Sequence, residues 1–91
     1  MSTVAMDQFG STLTDRADGK KAFREISEKH RFPVTLDFQG VVSLGSSFGE
    51  EVILKIGPLQ NYEVTIINTN SVMKNSVRRI IEDTDIKVIF S

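Results

Sequence analysis

Three short runs rich in β-branched and apolar residues, at 34–38, 63–68 and 86–90, are separated by segments whose apolar residues recur at helical spacing. No other feature constrains the fold of this chain as much. A strand followed by a helix long enough to cross the sheet returns parallel to the first strand, and such crossovers are right-handed. The alternation therefore predicts an α/β fold. We expect a single small domain over residues 1–91, with a four- to five-stranded, mostly parallel sheet and about three helices.

Local signals set the boundaries. Thr14 and Asp15 can cap free N–H groups, and the segment that follows carries Ala22, Phe23 and Ile26 at helical spacing, with Lys20, Lys21, Arg24, Glu25, Glu28 and Lys29 outward. Gly19 lowers helix propensity by about 1 kcal/mol relative to alanine and points to close packing at that position. His30 and Arg31 close this helix, and Pro33 prevents it from continuing. Val34, Leu36 and Phe38 then alternate with Thr35 and Asp37, Gln39-Gly40 turns the chain, and Val41 and Val42 are expected to return to the core. A second helix is read from Ser47 to about Ile56 and is stopped by Gly57-Pro58. The nearly unbroken apolar stretch at 63–68 suggests a buried central strand. Ser71 is read as the cap of a third helix reaching about Asp83, with Val72, Met73, Val77, Ile80 and Ile81 inward. At the N-terminus, Val4 and Met6 suggest extended chain, Phe9-Gly10 a turn and 11–13 a short strand, which would make a hairpin.

Composition narrows the function. The chain has eleven basic and twelve acidic residues, so it lacks the positive excess that phosphate neutralisation demands of a nucleic-acid binder. It has no cysteine, and its single histidine lacks the companions that zinc requires, so no metal or cofactor is expected. The longest apolar runs, Val52-Ile53-Leu54 and Val88-Ile89-Phe90, are far below the roughly 20 residues of a membrane span. Met1 to Asp7 lack the basic start and apolar stretch of a signal peptide, so a cytoplasmic protein is expected, with no membrane partner.

The stretch Val34-Thr35-Leu36-Asp37-Phe38-Gln39-Gly40-Val41-Val42-Ser43-Leu44-Gly45-Ser46-Ser47-Phe48-Gly49-Glu50-Glu51 resembles the central signature of the STAS superfamily, which includes the anti-sigma factor antagonists. The Gly45-Ser46-Ser47-Phe48-Gly49-Glu50-Glu51 run is similar to that of a STAS-like branch of uncharacterised function. Leu13-Thr14-Asp15-Arg16-Ala17-Asp18-Gly19 is similar to its Leu-x-x-Arg-x-x-Gly helix opening. The likeness covers roughly residues 13–81. It implies a non-catalytic, protein-binding regulatory module, with a histidine-kinase-like ATPase or anti-sigma-type kinase as partner. By position, Ser47 is implied as the phosphorylated residue, with Ser46 beside it. Phe48, Glu50 and Glu51 complete the contact candidates, and Asp37 and Gly45 order the loop. Two departures matter. The family's Asp before the paired serines is Gly45 here, and its Gly after them is Phe48.

Two other readings of these residues compete. Ser47-Phe48-Gly49-Glu50 fits a capping box, which would use the hydroxyl for helix stability alone. The chain would then be a structural or oligomerisation subunit, dimerising through a sheet edge or the third helix. Catalysis is not expected. No base is recognisably aimed at Ser47, Asp37 has no second acid or base to work with, and no nucleophile elbow or phosphate-binding loop is present. Lys74, Arg78 and Arg79 form one small basic face, and Lys20, Lys21 and Arg24 another.

Overall fold

In the computed structural model, which describes residues 2–91, all strand pairing is parallel. The elements are β1 (Ser2–Ala5), a 3-10 turn at Met6–Phe9, β2 (Thr12–Leu13), α1 (Arg16–Lys29), β3 (Val34–Asp37), β4 (Ser43–Leu44) and α2 (Ser46–Ile56). A second 3-10 turn, Gly57–Gln60, leads to β5 (Glu63–Ile67), α3 (Ser71–Ile81) and β6 (Lys87–Phe90). The main sheet has the order β1-β3-β5-β6, and β2 pairs with β4 in a separate two-stranded ladder. The expected α/β class, with three helices, is what the chain adopts.

Spatial order follows chain order, so each crossover lands its strand next to the one before. Right-handed crossovers repeated in one direction put all helices on one face. Accordingly, α2 packs against both α1 and α3 in a single layer. The sheet shows this layer two rows, Val34 beside Val64 and Val88, and Val4 beside Leu36, Ile66 and Phe90, buried except at Val88 and Phe90, which are partly buried at the edge. Its other face carries Thr3, Thr35, Thr65 and Ile89 in one row and Ala5, Asp37 and Ile67 in the next. The core lies between the buried rows and Ala22, Ile26, Phe48, Val52, Ile53, Ile56, Met73, Val77 and Ile80 of the helices. As expected, β5 is central.

Several local expectations are corrected. The two N-terminal strands form no hairpin. β1 pairs with β3, with Val4 opposite Leu36, and β2 pairs with β4, with Leu13 opposite Leu44. A period of two identifies a strand but does not name its partner. Val42 is 73% exposed although Val41 is buried, because neighbouring residues in extended chain point to opposite sides. Residues 43 and 44, between that return and the second helix, are strand, drawn into the ladder with β2. Val72 is 70% exposed, since Met73, Val77 and Ile80 already fill the inward stripe of α3. That helix is capped by Asn70, whose side chain accepts from the Met73 N–H at 2.8 Å; Ser71 is its first residue. It ends at Ile81, where Thr84 N–H turns back onto the Ile81 carbonyl and Asp83 takes a positive φ of 65°.

Candidate functional site

The residues singled out from the sequence gather where α2 begins. β4 delivers the chain there, and β2 holds it. The Ser11 carbonyl accepts from the Val42 and Ser43 N–H groups at 2.7 and 3.2 Å, and the Leu13 carbonyl accepts from Gly45 N–H at 2.8 Å. Gly45 passes so close to Thr14 that a Cβ there would lie 3.1 Å from its backbone and side chain. A larger residue would require Thr14 to give way by a few tenths of an ångström. Gly45 therefore orders the turn by its lack of a side chain.

Gly45 is also the N-cap. It is extended, with φ −97° and ψ 160°, and its carbonyl accepts the first helical bond from Gly49 N–H at 3.0 Å. Helix α2 thus starts two residues earlier than the capping-box reading requires. Ser46 and Ser47 occupy the first two helical positions, no side chain caps α2, and the box does not form. Among the described residues, neither serine hydroxyl makes a hydrogen bond. Ser46 is exposed and Ser47 half-buried.

The remaining contact candidates separate by burial. Phe48 is 1% exposed and anchors α2 in the core, so it is not a surface contact. Glu51 is 8% exposed and lies beyond the first turn of α2. Its Oε2 accepts from Arg16 Nη1 at 2.7 Å and its Oε1 from Lys55 Nζ at 2.5 Å. Glu50, half-buried, accepts from Arg16 Nη2 at 2.8 Å instead of reaching back to Ser47. Lys55 first, then Arg16, holds the Glu51 carboxyl below the ordinary glutamate range. In turn Glu50, then Glu51, raises the Arg16 guanidinium above its usual value.

Arg16 is the residue that sequence reasoning left out. It reaches α2 because Gly19, one turn along α1, lets the helices approach. A Cβ at Gly19 would stand 2.9 Å from both the Phe48 carbonyl oxygen and the Glu51 Cβ. The signal was present in the shared face of Arg16 and Gly19 at i, i+3. Its target on α2, thirty-four and thirty-five residues away, was not.

Asp37, at the end of β3, accepts through Oδ1 from Gln39 N–H at 2.9 Å and from Asn68 Nδ2 at 2.8 Å. These bonds, Asn68 first, hold its carboxyl below the ordinary range and tie the loops after β3 and β5 together. His30 follows α1 at the end away from Asp15, about 20 Å from it at 1.5 Å per residue. It is therefore no base for Ser47. No cluster of His, Asp and Glu among the described residues is arranged to hold a metal ion. The two basic faces do not converge, because α2 lies between α1 and α3. Among the described residues, no helix is long and apolar enough to cross a membrane. The chain matches no protein-family model, no curated protein and no solved structure.

Proposed function

We propose that this chain is a non-catalytic, cytoplasmic protein-binding module whose contact surface is the turn into α2, and that phosphorylation of Ser47 or Ser46 switches it. One observation carries the reading: both hydroxyls stand at an uncapped helix N-terminus without a hydrogen-bond partner of their own, on a turn pinned by β2. The resemblance of residues 34–51 to STAS-like chains supports the same assignment. It points to a histidine-kinase-like ATPase or anti-sigma-type kinase as partner.

The physics of the switch is local. A phosphate at either serine adds about −1.5 to −2 charges beside the free N–H groups and positive dipole end of α2, where it is stabilised. Glu50 and Glu51 lie one turn further on, at i+4 from Ser46 and Ser47, and repel it. Arg16, which spans those two carboxylates, would be drawn towards the phosphate. The partner then meets a surface of changed sign, and the binding equilibrium moves.

The test compares Ser47→Asp, Ser47→Ala and wild type for partner capture from native cytosol, with the mass of the recovered wild-type chain measured intact. Ser47→Asp should weaken capture while the fold is kept. Ser47→Ala should bind as wild type and change stability by no more than about 0.5 kcal/mol, since it removes no cap. Equal binding by all three forms would end the switch proposal. The reading as an oligomerisation subunit is favoured by a different observation: among the described residues, no further strand pairs with the sheet edges at β1 and β6. It requires a mass that rises with concentration in light scattering.

A further inference from the structure

At the far side of α3 from α2, β6 closes the sheet with one edge unused. Its Lys87 N–H donates to the Tyr62 carbonyl at 2.8 Å, and Ser91 N–H donates to Ile66 at 3.0 Å. In a parallel strand, alternate residues direct both backbone groups to the same side. Val88 and Phe90 therefore turn their N–H and C=O groups away from β5, and among the described residues no strand pairs with them. An edge of this kind is a template for another strand.

What surrounds the edge selects the occupant. The Phe90 ring lies under two cations, Lys74 Nζ at 5.7 Å and Arg78 Cζ at 5.5 Å from its centroid. Neither cation forms an ion pair with a carboxylate among the described residues; Arg78 donates only to Asn75. On the opposite face of β6, Lys87 is exposed, with Glu63 as its register partner and no ion pair closed between them. Glu82, Asp83 and Asp85 precede the strand, so the uncompensated positive charge lies towards its carboxyl end, around Phe90.

We propose that the β6 edge docks an acidic segment in extended conformation, which adds as a fifth strand with its carboxylates on the helix side meeting Lys74 and Arg78. A second copy of this chain is the competing occupant. Antiparallel pairing of two β6 edges about a two-fold axis keeps both α3 helices on one face and sets each positive carboxyl end towards the partner's Glu82, Asp83 and Asp85. Such pairing grows with protein concentration, whereas docking of a separate acidic segment does not.

The test uses a synthetic peptide alternating glutamate and threonine against one alternating lysine and threonine, with amide hydrogen exchange read residue by residue. In the free protein, Val88 and Phe90 amides should exchange quickly, because no strand pairs with them among the described residues. The acidic peptide should slow both by at least about tenfold, equivalent to about 1.4 kcal/mol, and the basic peptide neither. Binding should weaken as ionic strength rises. It should be lost in the K74E/R78E double variant and unchanged in Ser47→Asp, which separates this site from the α2 turn. Equal protection by both peptides, protection elsewhere, or no protection overturns the proposal. So does protection of these amides that grows with protein concentration alone, which would mark a second copy as the occupant.

Discussion

The seam between α1 and α2 and the flank made by α3 and β6 both combine an aromatic ring, lysine and arginine, yet they are closed in different ways. At the seam, Gly19 brings the helices to near backbone contact, and Arg16 and Lys55 are taken up by Glu50 and Glu51. On the flank, Lys74 and Arg78 have only the face of Phe90, and β6 leaves alternate backbone groups unpaired. The difference shows what charge is used for in each place. Cations matched within the molecule fix the position of α2 and the turn before it. Cations left unmatched beside an open edge are available to something outside.

Substituting the two aromatic residues should break this contrast most severely. Phe48→Ala removes a fully buried ring and should cost about 3–5 kcal/mol, whereas Phe90→Ala, half-exposed at the sheet edge, should cost about 1 kcal/mol. Urea denaturation with an unchanged m-value checks both. Similar losses would mean that the flank is packed as tightly as the seam.

Next in size is the approach at Gly19. Gly19→Val should destabilise by about 1–3 kcal/mol, because its nearest obstacles include the Phe48 backbone, which cannot rotate away. Gly49→Ala is the sharper comparison. The added Cβ meets the tip of the Ile80 side chain, which can change rotamer, so its cost should be smaller.

The smallest effect is electrostatic. The folded-state carboxyl of Glu51 lies below its unfolded value, so its contribution is complete above the ordinary glutamate range near about 4.3 and is lost as pH falls through the folded value. Asp37 has the same sign. Urea midpoints measured from neutral pH downwards should fall across this acidic window, and Glu51→Gln should flatten part of the fall. A Glu51→Gln profile parallel to wild type would show that the seam draws no pH-dependent stability from its ion pairs.

Much of the fold was legible locally. Asp15 caps α1 as its side chain suggested, accepting from Asp18 N–H at 3.2 Å, and α2 stops at Ile56, just before Gly57-Pro58. Gly19 marked a close approach before the approaching atoms were known. The candidate site was less legible. Ser46 and Ser47 were recognisable as residues at a helix start, but the capping box placed Ser47 two positions too early in the helix. Phe48, Glu50 and Glu51 were grouped with them, although Phe48 and Glu51 are buried and Glu50 is engaged by Arg16.

The amino-acid sequence alone determined where strands and helices form, since periodicity, caps and chain breakers act over a few neighbouring residues. It also determined that the sheet is mostly parallel, because helices connect β3, β5 and β6. Tertiary structure decided which strands pair, which of two adjacent valines turns inward, and whether a glutamate caps its own helix or binds an arginine on another. These outcomes depend on groups far apart in the chain, whose free energies compete only once the layers have come together.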